Sequence, residues 1–184
     1  VVAADFDRDG RLDLATANYV PGNVTVYRGD GSGGFSQIGI AITTGAGARG
    51  LVVGDFNGDG TPDLAVANLS AGSVSILLGL GDGTFIQSRG PISTGGGSAL
   101  LAAADLDGDG RLDLVVPNST ANTLSVLMGN GDGTFTALSP IIVGVGPYAV
   151  AVGDLDGDGK PDLAVGFNSG THLTILHGNG NGTF

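Results

Sequence analysis

Short apolar segments alternate with polar loops along the whole chain, and no segment of useful length carries the apolar period of an amphipathic helix. Residues 51–54 form a small apolar segment, an acidic loop follows, and residues 63–68 form a second apolar segment. A turn rich in Gly, Ser and Asn leads to residues 73–78, where polar and apolar side chains begin to alternate. A weaker segment closes the unit, as in residues 38–43 and 91–94. The pattern predicts four short β-strands in succession.

This order of segments recurs four times. The acidic loops begin at Asp5, Asp55, Asp105 and Asp154, at spacings of 50, 50 and 49 residues. Four short strands per repeat of this length are typical of a β-propeller blade. We therefore predict an all-β fold, a single β-propeller segment over residues 1–184 with blades of four antiparallel strands. The predicted repeats are 1–50, 51–100, 101–149 and 150–184, and the last blade is expected to be incomplete, lacking its fourth strand.

The acidic loop has the composition of a cation site. In its third copy, oxygen-bearing side chains occupy loop positions 1, 3, 5 and 9: Asp105, Asp107, Asp109 and Asp113. Position 6 is Gly in every copy, which suits a sharp turn, and the variable position 7 suits a residue that offers only its backbone carbonyl. Two carboxylates about 4 Å apart repel by about 4 kcal/mol at an effective dielectric constant of about 20, so several converging ones require a cation. Such an irregular oxygen cage suits Ca²⁺ better than Mg²⁺.

Two alternatives to this interpretation differ in strength. Asp, Asn and Gly favour turns in any protein, so a single loop of this kind could be an ordinary surface turn, but four copies in register favour metal binding. A helical EF-hand needs Glu at position 12 and flanking helices. The sequence contains no Glu, and Asp113 leads into an apolar strand pattern, which excludes that motif.

The net charge of −11 arises almost entirely from these loops, which hold 15 of the 18 acidic residues. Four Ca²⁺ ions, one per repeat, would reduce the formal charge to −3. The acidity thus reflects a metal requirement and argues against nucleic acid or an anionic membrane surface as partner. Cysteine is absent, no apolar run approaches the ~20 residues of a membrane span, and no signal peptide is visible, so we expect no membrane insertion. Because a weak multi-site Ca²⁺ binder suits millimolar external calcium, we expect an extracellular or cell-surface location.

The loop 55–63, its following Leu-Ala-Val segment and the later Gly-Asp-Gly-Thr-Phe at 81–85 resemble the FG-GAP/VCBS repeats of integrin α-chain and bacterial extracellular β-propellers. The resemblance covers the whole chain. It implies that each acidic loop joins the first two strands of a blade and binds Ca²⁺ there. By position it assigns these ligands: Asp5, Asp7, Asp9 and Asp13 with the carbonyl of Arg11; Asp55, Asn57, Asp59 and Asp63 with that of Thr61; Asp105, Asp107, Asp109 and Asp113 with that of Arg111; and Asp154, Asp156, Asp158 and Asp162 with that of Lys160.

Two departures from the family pattern affect the expectations. Asn57 replaces an acidic residue, so we expect the second loop to bind Ca²⁺ most weakly. Four repeats are fewer than the seven or so usual for the family, so a complete ring would need further sequence or other copies of the chain.

Other candidate residues have a structural and a functional interpretation. The repeated Phe at positions 35, 85, 135 and 184 suits a packing anchor between blades better than a stacking surface for a ligand, and Asp30, Asp82, Asp132 and Asn181 suit turn caps. His172 and His177 have no equivalents in other repeats, and a catalytic or metal-binding role is the weaker interpretation for them. Four residues near turns on the face opposite the loops are most simply ordinary surface residues, whereas the resemblance to integrin-type propellers implies partner binding there: Tyr19, Arg49, Tyr148 and Phe167. Four Asn-x-Ser/Thr sequons are candidate glycosylation sites: Asn23, Asn68, Asn118 and Asn181.

The favoured function is a calcium-stabilised extracellular β-propeller with a structural, adhesive or protein-interaction role, binding protein, glycan or further copies of itself in a ring or filament. A carbohydrate-binding propeller is the alternative, although the chain has no Trp and three Tyr for sugar stacking. A propeller hydrolase is the weakest option, because the carboxylates recur in every repeat whereas a catalytic site needs one distinctive constellation. We therefore expect a protein that is not an enzyme.

Overall fold

A computed structural model describes residues 1–97, 100–169 and 172–184. These residues contain β-strands, turns and bends and no helix, and hence no helix able to cross a membrane. The strands of the first two sheets are β1 Val2–Ala4, β2 Asp13–Asn18, β3 Asn23–Gly29, β4 Phe35–Thr43, β5 Ala48–Gly54, β6 Asp63–Asn68, β7 Ser73–Gly79, β8 Phe85–Gln87 and β9 Ile92–Ser93. Those of the other two are β10 Ala102–Ala104, β11 Asp113–Asn118, β12 Thr123–Gly129, β13 Phe135–Ala137, β14 Ile141–Ile142, β15 Pro147–Gly153, β16 Asp162–Phe167 and β17 Leu173–Leu176.

Each repeat forms its own antiparallel sheet, with strands paired in chain order. Sheet 1 has the order β1-β2-β3-β4, and sheet 4 has β15-β16-β17. Sheets 2 and 3 each have five strands, because two short strands pair with the same neighbour, as β8 and β9 do with β7. These findings confirm the all-β prediction and the antiparallel pairing within each repeat.

The closing strand of a repeat differs from the sequence expectation. We expected it at residues 38–43 and 91–94, but strand pairing already begins at Phe35 in sheet 1 and at Phe85 in sheet 2. In sheet 2 the pairing is then interrupted before Ile92, where Pro91 has no N–H group to donate to the ladder. The closing strand is therefore continuous in sheet 1 and divided in sheets 2 and 3.

The hydrophobic core lies between consecutive sheets in three separate clusters. Strand β6 shows how one strand serves two of them, because successive side chains point to opposite faces. Leu64 and Val66 pack toward sheet 1, whereas Ala65 and Ala67 pack toward sheet 3, and all four are fully buried. The first strands β1, β5, β10 and β15 contact one another in succession. The sheets are thus stacked in chain order, and each depends on its neighbours to cover its faces.

Candidate metal centres

The four acidic loops occupy equivalent places in the fold. Each joins the first strand of its sheet to the second, as the family resemblance implies: β1 to β2, β5 to β6, β10 to β11 and β15 to β16. The glycine at position 6 has φ between +76° and +84° in all four loops. A side chain is strained in that left-handed region, which explains why no other residue occupies the position.

Each loop is held by bonds from its own backbone to its carboxylates. In the third loop, Gly110 N donates to Oδ2 of Asp105 at 2.9 Å, and Asp109 N donates to Oδ1 of Asp107 at 3.2 Å. Arg111 N then donates to Oδ1 of Asp109 at 2.8 Å. The first, second and fourth loops repeat these three bonds with distances of 2.7–3.2 Å. The backbone thereby turns the side chains at positions 1, 3 and 5 toward the inside of the loop.

The carboxylate at position 9 plays a different part, because it is buried and bridges two segments. Oδ2 of Asp113 accepts from Leu106 N at 2.8 Å, and Oδ1 accepts from Gly129 N at 2.7 Å. Leu106 lies in the loop, and Gly129 ends the third strand of the sheet. Asp13, Asp63 and Asp162 form the same pair of bonds, and all four side chains lie in residues that are at most 1% exposed. The acidic loop is therefore tied to the end of the third strand in sheets 1 to 3, and to Gly178, just after the third strand, in sheet 4.

In the first, third and fourth loops, carboxylate oxygens from three of the positions 1, 3, 5 and 9 converge within a few ångströms of one another. Candidate ligand atoms lie within 4.8 Å of each other in three all-carboxylate groups: Asp5, Asp7 and Asp13; Asp105, Asp107 and Asp113; and Asp154, Asp156 and Asp158. A set of carboxylate oxygens with an adjacent backbone carbonyl is the donor chemistry that a hard cation such as Ca²⁺ prefers. The residues present therefore fit the predicted ion, and the positions 1, 3, 5 and 9 would hold it.

The acidic groups of the loops have pKa values shifted in opposite directions. Burial raises the pKa of the Asp63 and Asp113 carboxyls. Hydrogen bonds lower the pKa of the position 5 carboxyls, from the Arg11 side chain on Asp9, from the Thr61 side chain on Asp59 and from the Lys160 side chain on Asp158. The pKa of Asp162 is lowered by the backbone bonds from Gly178 and Leu155. The outer part of each loop thus favours the charged form that a cation needs.

Position 7 contributes a side-chain cation in three loops, a role that the sequence did not suggest. Arg111 and Arg11 each pair with the position 5 carboxylate of their own loop, and Lys160 Nζ lies 2.8 Å from Oδ2 of Asp158. In the second loop Thr61 instead receives a hydrogen bond from the guanidinium of Arg8 in the first loop. The predicted ligand role of the position 7 carbonyls stays a prediction.

Two residues outside the acidic loops reach into them and were not identified from the sequence. Nε of Arg28 lies 2.5 Å from Oδ2 of Asp7, and Nδ1 of His177 lies 3.1 Å from Oδ2 of Asp156. Both directly precede the glycine that bonds to position 9, where sheets 2 and 3 have Leu78 and Met128; Arg28 lies in its third strand, and His177 lies just after it. Alignment of the four repeats shows this variation, but only the structure shows that the side chain faces the loop.

Phe85, Phe135 and Phe184 pack between sheets, which confirms the anchor interpretation for these three, whereas Phe35 is 48% exposed. Phe85 meets Phe6 of the preceding sheet edge to face at a ring distance of 5.4 Å, and Phe135 meets Phe56 at 5.8 Å. The turn before each of these three Phe residues also donates a backbone bond to the preceding sheet, as from Gly83 N to the Phe6 carbonyl at 3.0 Å. The turn-cap interpretation is confirmed too, since Asp30, Asp82, Asp132 and Asn181 each accept the backbone N–H two residues later.

Two of the four sequons are buried. Asn68 and Asn118 are 0% exposed. Nδ2 of Asn68 donates to Ser73 and Ser75, and Nδ2 of Asn118 donates to Thr123 and Ser125. Neither amide nitrogen can carry a glycan in this fold. Asn23 is half-buried and Asn181 is exposed, so glycosylation there stays a prediction.

The candidate partner-binding residues Tyr19, Arg49, Tyr148 and Phe167 each contact another side chain. The guanidinium of Arg49 lies 5.0 Å from the ring centre of Tyr148, and the Tyr19 hydroxyl lies 3.1 Å from that of Ser70. The ring of Phe167 lies 4.8 Å from that of His172.

A cleft of about 250 Å³ lies between sheets 2 and 3, and its lining includes Arg89, Asn130 and Phe135.

This arrangement defines an all-β repeat protein in which every repeat supplies one sheet and one acidic loop. The model of the FG-GAP-like repeat family matches residues 5–66, 55–116 and 107–165. The chain therefore belongs to the FG-GAP-like repeat family, which confirms the resemblance seen in the sequence. A comparison with curated proteins finds no match.

Two solved structures are similar to this chain over most of its length. One is an Agrocybe aegerita lectin described as recognising non-reducing terminal N-acetylglucosamine, with 25% identity, a TM-score of 0.65 and coverage of 99% of this chain and 49% of the lectin chain. The other is the V. cholerae biofilm matrix protein Bap1, with 21% identity, a TM-score of 0.51 and coverage of 89% and 23%. This chain thus spans about half the length of the lectin and less of the matrix protein.

Proposed function

We propose that this chain is a calcium-stabilised β-propeller segment that serves adhesion outside the cell, with a glycan or protein as its ligand. The observation that carries the proposal is the equivalence of the four acidic loops. Three of the loops present converging carboxylate oxygens, and all four are tied through the position 9 carboxylate to a glycine at or just after the end of the third strand. A cation in the loop would therefore couple the first, second and third strands of the sheet. The proposal includes no catalytic role, since the same acidic groups recur in all four repeats.

Calcium dependence is tested by thermal unfolding with and without chelator. We expect the melting temperature to fall substantially in EDTA and to recover when Ca²⁺ is added in excess, because an ion that binds only the folded state stabilises it by mass action. Added Mg²⁺ at the same concentration is the matched control and should restore much less of the lost melting temperature. A melting temperature that EDTA leaves unchanged would remove calcium from the proposal.

Glycan binding is favoured as the adhesive activity by the similarity to the lectin, which extends over 99% of this chain. The cleft between sheets 2 and 3 is the candidate place, because it combines polar groups with an aromatic ring: Arg89, Asn130 and Thr134 beside Phe135. Sugar sites commonly join a few directed polar groups to an apolar surface.

The glycan proposal is tested with N-acetylglucosamine and a glycan array. Saturable binding by the Ca²⁺-loaded chain should weaken in the variant Arg89→Ala and persist in Arg49→Ala, whose side chain contacts Tyr148 and not this cleft. Absence of saturable binding to any glycan would leave a protein ligand as the adhesive partner, and equal loss in both variants would exclude the cleft.

A further inference from the structure

The fourth acidic loop has a neighbouring side chain that the other three loops lack. His177 directly precedes Gly178, whose N–H bonds to the position 9 carboxylate of Asp162. The residues at the equivalent place in the other sheets are Arg28, Leu78 and Met128. Leucine has no donor atom, a thioether is a weak donor, and a guanidinium stays protonated, whereas a neutral imidazole has a ring nitrogen with a free lone pair. The fourth loop is therefore the one of the four with an adjacent nitrogen ligand for a metal ion.

This nitrogen lies beside carboxylates from two positions of the loop. Nδ1 of His177 lies 3.1 Å from Oδ2 of Asp156 and 3.7 Å from Oδ1 of Asp162. The three candidate ligand atoms all lie within 4.8 Å of one another. At metal–ligand distances of about 2.0–2.2 Å, two ligands of a tetrahedral Zn²⁺ ion are about 3.3–3.5 Å apart. The observed distances from Nδ1 lie on either side of this separation, so small shifts would seat the ion.

Hydrogen bonds hold both carboxylates in place. Oδ1 of Asp162 accepts from Gly178 N at 2.8 Å, Oδ2 accepts from Leu155 N at 3.0 Å, and the residue is 1% exposed. Oδ1 of Asp156 accepts from Asp158 N at 3.1 Å, which leaves Oδ2 toward the imidazole. A carboxylate oxygen has two acceptor sites, so one hydrogen bond still allows a metal bond. Outer hydrogen bonds that orient the ligands in this way are typical of protein metal sites.

The position 9 carboxylate of this loop also has different neighbours from its equivalents. Asp13 and Asp113 are grouped with the carboxylates at positions 1 and 3 of their own loops. Asp162 is grouped instead with Asp156 and His177. The inner end of the fourth loop thus has a mixed nitrogen and oxygen donor set, whereas the first and third loops have oxygen donors.

We propose that His177, Asp156 and Asp162 bind a divalent transition-metal ion of the Zn²⁺ class. Imidazole nitrogen suits Zn²⁺ and related ions, whereas Ca²⁺ takes oxygen ligands. Three protein ligands leave a fourth position for an exchangeable molecule such as water. The ion uses two carboxylates that are also expected to bind Ca²⁺, so the two metals compete for this loop. The proposal does not rest on calcium binding by the other three loops.

The proposal is tested by calorimetric titration of the calcium-free chain with Zn²⁺. We expect one tight site per chain, followed by weaker binding to the other carboxylate loops. His177→Met, which introduces the residue type found at position 128, should weaken the tight site by about a hundredfold or more, because loss of even an outer partner of a metal ligand costs about 10–100-fold in affinity. The matched control is His172→Met, which changes the other histidine, whose ring lies 4.8 Å from that of Phe167, and should keep the tight site. Circular dichroism verifies that both variants keep their strands.

A local readout and a competition experiment complete the test. One equivalent of Zn²⁺ should shift the NMR signals of the His177 ring and leave those of His172 in place. A large excess of Ca²⁺ should displace Zn²⁺ from the His177→Met chain far more readily than from the wild type.

Equal Zn²⁺ affinity in the wild type and His177→Met would overturn the proposal and leave His177 as a charged partner of Asp156. Equal displacement by Ca²⁺ would also overturn it, because the nitrogen donor would then confer no selectivity. Neither result alters the expected recovery of the melting temperature when Ca²⁺ is added, so failure here is distinguishable from failure of the calcium proposal.

Discussion

The guanidinium of Arg28 lies with its Nε 2.5 Å from Oδ2 of Asp7, so the first acidic loop is supplied with a cation by its own sheet. The other oxygen of Asp7 accepts from Asp9 N at 3.2 Å, and the Asp7 side chain is only 5% exposed. In the third loop, by contrast, the only described partner of Asp107 is Asp109 N, on Oδ1. The four loops are equivalent in backbone but not in the charges that surround them.

Replacement of Arg28 with Leu, the residue type at the equivalent position 78, should strengthen Ca²⁺ binding at the first loop. The ion would no longer compete with a guanidinium for Asp7. Because the Arg28 side chain is 47% exposed, its ion pair contributes at most about 1 kcal/mol, which corresponds to about a fivefold gain in affinity. The amide signal of Gly10 in an NMR titration reports this loop alone. Met128→Leu is the matched control and should leave the Gly110 signal unchanged, and an unchanged Gly10 midpoint in Arg28→Leu would show that Arg28 does not compete.

Replacement of Asn57 with Asp should strengthen the second loop, which the sequence predicts to be the weakest. Nδ2 of Asn57 donates to Oδ2 of Asp59 at 2.9 Å, and so occupies one oxygen of the position 5 carboxylate. One added carboxylate near a cation contributes on the order of 1 kcal/mol even in a water-like dielectric. The Gly60 amide signal should therefore reach its titration midpoint at a lower Ca²⁺ concentration. The reverse substitution in the third loop, Asp107→Asn, should raise the midpoint concentration of the Gly110 signal. If neither variant shifts the Ca²⁺ titration midpoint of the glycine amide signal in its own loop, the side chain at position 3 is not a ligand.

Replacement of Asp113 with Ala should destabilise the chain more than replacement of Asp109, even in chelator. Asp113 accepts two backbone bonds and is 1% exposed, so two buried amides would lose their acceptor, at a cost of about 3 kcal/mol. Asp109 is bonded within its own exposed loop, where such pairs contribute about 1 kcal/mol or less. Urea unfolding monitored by circular dichroism measures the free energy of unfolding of both variants. Equal destabilisation by the two variants would contradict the bridging role of position 9.

In chelator, the stability of the chain should fall as the pH falls through and below about 3.8. A carboxyl whose pKa is lowered in the folded state stabilises it above the unfolded pKa and loses that contribution on protonation. Eight carboxyls are of this kind: Asp9, Asp30, Asp59, Asp82, Asp109, Asp132, Asp158 and Asp162. Asp63 and Asp113, whose pKa is raised by burial, act in the opposite direction and stabilise the fold when protonated.

The matched variant for this pH dependence is Asp82→Asn. The fourth repeat already has Asn181 at this place, and it accepts the same bonds from Thr183. The substitution therefore keeps the turn but removes one titrating group, so the loss of stability in acid should become less steep. A melting temperature that is constant or rises from pH 5 to pH 3 would contradict the assigned directions.

The periodic part of the structure was predictable from the sequence because it depends on local patterns. The strand segments, their antiparallel order within a repeat and the place of each acidic loop follow from residues close together along the chain. The same holds for the turn caps, since Asp82 bonds the backbone only two residues away. The early start of the closing strand at Phe85 was the main error, because its pairing with Gly79 at the end of β7 decided it against a weak local pattern.

What surrounds each acidic loop was decided by tertiary structure. The bridge from Asp113 to Gly129 spans 16 residues, and the contact of Arg28 with Asp7 joins a strand to a loop that precedes it by a whole hairpin. The sequon at Asn68 suggests an exposed glycosylation site, but the third strand that lies beside Asn68 buries it. The sequence by itself determined that each repeat has a strand–loop–strand unit with converging acids, since these are properties of neighbours in the chain. Only the packed sheets decided which oxygens are buried and which are already paired, because these depend on which surfaces meet in space.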